Sequence, residues 1–243
     1  MKSIIKKIIK YILFLLHIDI TKNQQYDRQT LKIMKRVLKN NSNCIDVGCH
    51  KGEMLEVMLK LATDGKHYAF EPIPFLFEKL QIKFKGRSVY ISSVALSDNK
   101  GSTTFNFVKN APAYSGLKPR RYDVKKPDIE LITVETDKLD NIIPEDKKID
   151  FIKIDVEGAE FAVLQGAFQT IRRCKPLIVF EFGTGASDYY NTTPEKVYDF
   201  LVNKCQLKIS TLKDWLNHKD PLDLEKLNEY FVNGKEYYFI AYP

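Results

Sequence analysis

The residues with the most chemical promise lie between Asn43 and Gly52, where an acid precedes two glycines set four positions apart. The run Asn43-Cys44-Ile45-Asp46-Val47-Gly48-Cys49-His50-Lys51-Gly52 reads as a buried strand, Cys44 to Val47, that passes through a glycine turn into a helix beginning near Glu53. Gly48 and Gly52 let the backbone turn sharply and leave main-chain N–H groups open to a ligand. Asp46 stands at the carboxyl end of the strand. A second apolar strand, Tyr68-Ala69-Phe70, ends in Glu71. A doubly wound nucleotide site places its ribose-binding acid about 20 residues past the turn, and a carboxylate there can accept both hydroxyls of an unphosphorylated ribose.

The glycine spacing selects among cofactors. A dinucleotide fingerprint reads G-x-G-x-x-G, so that pyrophosphate rests on a helix N-terminus. Here Cys49 and His50 fall between the glycines, the middle glycine is missing, and no Gly-Lys-Ser/Thr end follows. Asp46 repels pyrophosphate but welcomes an ammonium or sulfonium group. That favours S-adenosylmethionine. The competing interpretation is a tight strand–helix turn followed by a solvated acid.

A second group of acids lies downstream. Asp150 to Val156 reads as a buried strand ending in Asp155, and Glu157-Gly158-Ala159-Glu160 opens a helix running through Ile171. Ligands of a doubly wound sheet sit outside the carboxyl ends of the strands, so Asp155 shares a crevice with Asp46 and Glu71 if the two strands are neighbours. Acids at a helix start also favour the helix dipole, and Glu160 is assigned that structural role. Asp155 and Glu157 are assigned to the chemistry. Glu181 closes another strand, Leu177 to Phe182, and is a further candidate.

The elements that must position these residues alternate. Tyr26 to Leu38 has helical spacing, Glu53 to Leu61 forms a helix with a wide apolar face, and Phe75 to Phe84 resumes the helical pattern. Val89 to Leu96 reads as one strand, followed by a turn cluster at 97–101 and an extended run from Thr103 to Val108. Thr193 caps a helix with Pro194 at its first position, and strands are expected over Leu207–Leu212 and Tyr237–Tyr242. Strands alternating with helices argue for a parallel, doubly wound α/β sheet. The short turn before Glu236 brings the last strand in antiparallel. The intervening loop near Trp215 and His218 carries no readable chemistry.

Composition bounds the rest. The chain has 243 residues, 44% hydrophobic and 28% charged, enough for one large domain over residues 26–243. A formal charge of +7 is moderate, and residues 1–20 hold Lys2, Lys6, Lys7 and Lys10 against Asp19 alone. The remainder is too weakly basic to argue for nucleic acid. Residues 1–25 are read as a basic, apolar helix whose apolar run, Tyr11 to Leu16, is too short to span a bilayer. No small-residue cleavage site follows it. It fits peripheral contact with an anionic membrane face and fits equally a helix docked on the domain or on a second subunit. Cys44, Cys49, Cys174 and Cys205 form no C-x-x-C pair, which suits a reduced, cytoplasmic setting. Residues 109–131 break the rhythm with four prolines and glycines and with basic residues that include Lys118, Arg120, Arg121, Lys125 and Lys126. An insertion of that kind is a lid or acceptor loop for an anionic or hydroxyl-rich substrate, or a solvated loop with incidental charge.

Ile45 to Gly52, Phe70-Glu71-Pro72, Ala95-Leu96-Ser97-Asp98 and Ile152-Lys153-Ile154-Asp155-Val156-Glu157-Gly158-Ala159-Glu160 together resemble the FkbM family of methyltransferases. The resemblance covers about Asn43 to Glu181, and the Asp-Val-Glu-Gly-Ala-Glu run is its most specific part. It implies a class I S-adenosylmethionine-dependent, Rossmann-like fold with a mostly parallel seven-stranded sheet and an antiparallel last strand. It also implies O-methylation of hydroxyls on sugars of surface polysaccharides or on secondary metabolites. By position, Asp46, Gly48 and Gly52 border the methionine part, Glu71 takes the ribose, Pro72 and Val94 flank the adenine, and Asp155 faces the methionine end or the acceptor. Many members have Ala-Asn in place of Cys49-His50, so His50 is carried over only as a neighbour of the cofactor. Glu157 and Asp155 are the expected acceptor base, with Glu181 and His50 behind them. No metal ion is assigned. Two alternatives stand beside this reading: a methyltransferase acting on a lipid, protein or nitrogen acceptor, and a membrane-docked scaffold without catalysis.

Overall fold

The computed structural model describes residues 21–243, so the membrane contact expected of residues 1–20 lies outside the described residues. The first described helix, α1 (Lys22–Val37), starts at a capping box: the Thr21 hydroxyl accepts from the Gln24 N–H and the Gln24 side chain returns to Thr21. Three four-residue strands follow the apolar runs closely: β1 (Cys44–Val47), β2 (His67–Phe70) and β7 (Phe151–Ile154). Every residue in them is buried, as a parallel sheet covered on both faces requires.

Helix α2 (Glu53–Leu61) joins β1 to β2, and α3 (Pro74–Lys83) joins β2 to β3 (Val89–Ser92). Past β7 come α5 (Glu160–Gly166), α6 (Phe168–Cys174), β8 (Leu177–Glu181) and α7 (Pro194–Tyr198), which continues as a π-helical turn to Lys204. The chain ends with β9 (Lys208–Thr211), α8 (Leu212–Leu216), α9 (Leu224–Asn233) and β10 (Tyr238–Tyr242). The seven-stranded sheet runs β3-β2-β1-β7-β8-β10-β9. Strand β10 alone runs against the direction of the other six strands. The strand order reverses between β1 and β7, which pair in register with Asp46 opposite Lys153.

Alternate residues of the strands feed two apolar layers. Ile45, Ile152, Ile178, Phe180 and Phe239 pack on one face. Cys44, Phe151, Val179 and Ile240 meet Tyr26, Ile33 and Met34 of α1 on the other.

Four expectations change. Val89 to Leu96 is two strands, because the chain bends where the Ser92 hydroxyl accepts from the Val94 N–H. The second piece, β4 (Ala95–Leu96), leaves for a separate sheet of order β4-β6-β5, built on the hairpin of β5 (Gly101–Val108) and β6 (Ile129–Asp137). Strand β6 escaped the sequence reading because most of it is exposed, with Leu131 pointing to solvent at 66% exposure, so burial does not mark it out. The helix expected from Glu160 through Ile171 is two, α5 and α6, divided at Gly166–Ala167 after α4 (Leu139–Ile142) has delivered the chain to β7. The loop near Trp215 holds α8 and α9, the latter capped by Asp223 accepting from the Lys226 N–H at 2.8 Å.

Phe180 lies fully buried in β8, at the centre of one layer. Phe180→Ala is expected to lower the unfolding free energy by about 3–5 kcal/mol with an unchanged denaturant slope. Urea denaturation followed by circular dichroism measures it; a loss below about 1 kcal/mol contradicts close packing there.

Candidate functional site

A cavity of about 390 Å³ opens at the carboxyl ends of the strands, where the order reverses. The β1–α2 turn makes its floor. Gly48 has φ +73, and a Cβ there falls 1.9 Å from the Asp155 carbonyl oxygen, so only glycine lets β1 and β7 approach this closely. Asp46 is 1% exposed with its Oδ1 buried and unpartnered. Burial pushes its carboxyl up to about 6, against the pull of Lys153.

Glu71 is fixed from both sides. Its Oε2 accepts from the His50 N–H at 2.8 Å and its Oε1 from the Ile73 N–H at 3.0 Å, yet burial still raises it to about 7. His50 adopts a left-handed φ of 49° that serves this bond, and its ring joins the cavity wall. Burial and then Lys51 lower its pKa, which keeps the imidazole neutral. Pro72 and Val94 line the cavity beside Ile73, Leu96, Phe105 and Leu117, an apolar end. Gly52 stands apart from this wall: it is the left-handed N-cap of α2 and packs on Leu80 and Phe84.

The opposite end is charged. Lys153 and Asp155 point to the same face of β7, two residues apart, and Lys153 Nζ contacts Asp155 Oδ2 at 2.8 Å. Lys153 is 7% exposed. Burial opposes its charge, but Asp155 and Asp46 overcome this and hold the ammonium protonated. Asp155 is correspondingly held below the usual carboxylate range: burial works against it, while Lys153, the Tyr238 phenol and Arg120 favour its charge.

Glu157 follows with a left-handed φ of 60° and forms an ion pair with Arg120 of the 109–128 loop, whose guanidinium also lies 5.4 Å from the Tyr114 ring centre. Gly158 must be glycine, since its φ is +112 and a Cβ lands 2.7 Å from the Ala186 carbonyl. Glu160 accepts from the Val156 and Gly158 N–H groups, each at 3.0 Å, and so holds this turn together in the structural role assigned to it. Glu181 lies outside the cavity wall, but one of its oxygens comes within 4.8 Å of those of Asp155 and Glu157. Burial, then Asp155 and Glu160, push its carboxyl well above the normal range. Three such oxygens suit a hard cation, but two of the acids already have protein cations as partners.

The loop lies across this charged end. The Arg121 N–H donates to the Gly185 carbonyl at 2.9 Å, and the Lys118 N–H donates to the Tyr190 hydroxyl at 2.8 Å. Three residues of the site escaped the sequence reading of roles. Lys153 was visible as one cation inside an apolar strand; Arg120 was one of six basic loop residues with nothing to single it out; Asp27 of α1, which also lines the cavity, left no signal.

The sequence matches the model of the methyltransferase FkbM domain over residues 46–208. The chain belongs to that family. The fold is similar to that of a methyltransferase FkbM from Methylobacillus flagellatus KT, at 15% identity and a TM-score of 0.53. That alignment covers 84% of this chain and 44% of the other, so this chain spans less than half the length of that protein. A putative rRNA methylase from Clostridium thermocellum aligns at 11% identity and a TM-score of 0.47, covering 88% and 91% of the two chains. A TehB-like S-adenosylmethionine-dependent methyltransferase from Corynebacterium glutamicum aligns at 12% and 0.42, covering 99% and 96%. No protein of curated function matches the chain.

The FkbM methyltransferase domain takes S-adenosylmethionine as methyl donor, and the residues here fit that molecule. Glu71 has lone pairs left to accept from hydroxyls such as those of a ribose, the apolar end suits an adenine, and the buried, unpartnered Asp46 oxygen suits a cationic group.

Removing the Lys153 ammonium strands Asp46 and Asp155 in the interior. Lys153→Ala is expected to cost about 3–5 kcal/mol of stability at pH 8. The cost shrinks toward pH 5, because Asp46, already raised to about 6, then takes up a proton and needs no counterion. Urea unfolding at the two pH values checks this; equal losses contradict the counterion role.

Proposed function

We propose that this FkbM-family protein is an S-adenosylmethionine-dependent O-methyltransferase whose acceptor is a sugar hydroxyl, on a surface polysaccharide or a related glycan. The observation that carries the reading is the trio Asp155, Glu157 and Glu181, whose oxygens gather within 4.8 Å at the charged side of the cavity, beside a loop bearing Arg120 and Lys118. Carboxylates in a cluster accept hydrogen bonds from adjacent hydroxyls, and the basic loop suits a polar or anionic glycan. When bound, S-adenosylmethionine supplies an electrophilic methyl group.

The residues of this chain divide the remaining work. Glu71 and the Gly48 turn hold the nucleoside end. The walls from Val94 to Phe105 exclude water from it. Holding two reactants in alignment contributes up to about 7–11 kcal/mol. Asp155 is committed to Lys153 and Glu157 to Arg120. Glu181 has no hydrogen bond or ion pair among the described residues and is therefore the carboxylate left to take the acceptor proton, a role open to a positioned carboxylate. Glu157 orients the acceptor once Arg120 releases it. The basic, apolar residues 1–20 support a peripheral position on an anionic membrane face, at the cytoplasmic side where glycan precursors are assembled. Among the described residues no helix is long and apolar enough to cross a membrane.

Calorimetric titration of S-adenosylhomocysteine into wild type and Glu71→Ala tests the cofactor end. Hydrogen bonds to a charged group contribute about 1.5–3 kcal/mol, so Glu71→Ala is expected to weaken binding more than about tenfold. Wild-type affinity should fall as pH drops through about 7, where Glu71 gains a proton and one acceptor site is lost. A folded wild type that binds no cofactor defeats the reading. Screening glycans with methyl-labelled donor then identifies the acceptor. On it, Glu181→Gln is expected to reduce turnover by about 10²–10⁴-fold at unchanged cofactor affinity; full activity removes Glu181 from the mechanism.

A further inference from the structure

One carboxylate in the cavity wall does not come from the sheet. Asp27 belongs to α1, the helix that precedes β1, and lines the cavity together with Asp46, Glu53, Lys153 and Asp155. Helix α1 is clamped against the far edge of the site. The Tyr26 ring packs edge-on against Tyr237 at 4.8 Å and stacks on Tyr238 at 4.9 Å. Its hydroxyl donates to Glu236 Oε2 at 2.7 Å, and the Tyr237 hydroxyl donates to Asn23 Oδ1 at 2.6 Å. Asp27 is the next residue along, so its place over the cavity is fixed by that clamp.

The acids around this end are not equivalent. Asp155 is bonded to Lys153. Asp46 sits opposite Lys153 in the β1–β7 register, fully buried and within the field of the same ammonium. Glu53 opens α2, where the helix dipole favours its charge. Asp27 makes no hydrogen bond and no ion pair among the described residues; partial burial raises its carboxyl above the ordinary range, against the pull of Lys153 and with the push of Asp155 and Glu53. It is also open to solvent, so a ligand reaches it without displacing a partner.

We propose that Asp27 binds the α-ammonium group of the cofactor's amino-acid end, and that α1 thereby selects ligands that carry an intact amino-acid tail. The proposal rests on the reading of this cavity as the S-adenosylmethionine site. It extends that reading to a helix upstream of the residues the family model matches, which begin at Asp46. The chemistry is a salt bridge between a cation and a partly solvated carboxylate; no covalent step is involved.

The test compares two ligands that share the nucleoside and differ in the tail. S-adenosylhomocysteine carries the ammonium; 5′-methylthioadenosine lacks the whole amino-acid end. Both are titrated by calorimetry into the full chain and into Asp27→Asn and Asp27→Glu. Asp27→Asn is expected to weaken S-adenosylhomocysteine roughly tenfold, the scale of one hydrogen bond to a charged group, and to leave 5′-methylthioadenosine unchanged. Asp27→Glu, which keeps the charge, should recover most of the lost affinity. Methylthioadenosine binding also reports that the variants are folded. Equal weakening of both ligands overturns the proposal, because Asp27 then acts on the cavity as a whole. Undiminished binding of S-adenosylhomocysteine to Asp27→Asn overturns it as well. A folded wild type that binds neither ligand overturns the cofactor reading itself, a result distinct from both.

Discussion

The Lys153 ammonium sits in the interior between Asp46 and Asp155, and the geometry of the site follows from it. A buried charge without partners is costly enough that a protein either neutralises it or surrounds it with counter-charges. Here the second course is taken through strand register. Pairing β1 with β7 sets Asp46 opposite Lys153, and the two-residue period of a strand puts Asp155 on the same side. The arrangement requires the two strands to be close, and the bare Gly48 against the Asp155 carbonyl allows it. Shifting the register by one residue moves the ammonium to the opposite, apolar face of the sheet. The same interaction that fixes the sheet therefore also fixes the charged end of the cavity.

Much of this could be read from the sequence because it follows local rules. Apolar runs of strand length, each ending in an acid, gave β1, β2, β7 and β8 their places, and Gly48 with Glu71 pointed to the place of the cavity that both residues line. What stayed hidden depends on contacts distant in sequence. Arg120 pairs with Glu157 across 37 positions of chain, and nothing in its neighbourhood separates it from Arg121 or Lys118. Asp27 reaches the site only because Tyr26 finds Tyr237 and Tyr238 at the other end of the chain. Gly52 misled for the converse reason: its spacing suits a ligand turn, but its left-handed backbone serves helix α2. Strand β6 was missed because an exposed hairpin strand has no buried face to set an alternating pattern.

The floor and the cover of the cavity differ in how firmly they are held. The floor is made of paired strands whose residues are fully buried. The cover, residues 109–128, is held over the charged end by the Arg120 ion pair with Glu157 and by main-chain N–H bonds to the Gly185 carbonyl and the Tyr190 hydroxyl. Such bonds contribute about 1 kcal/mol each, a small sum beside the packing of the sheet. Opening over the charged end thus requires far less than disturbing the strands beneath it. On the proposed reading, a large, hydrated acceptor could enter from that side while the rest of the cavity stays intact.

Strand β10 lies between β8 and β9, so the strand farthest along the described chain takes an interior place in the sheet rather than extending an edge. Without it, β9 has no strand to pair with. Tyr238 would go with it, and α1 would lack part of the clamp that seats it. The two ends of the described chain are thus tied to each other, and the charged end of the cavity depends on both. Removing β10 alone would cost the sheet its β9 edge and α1 an anchor in a single event.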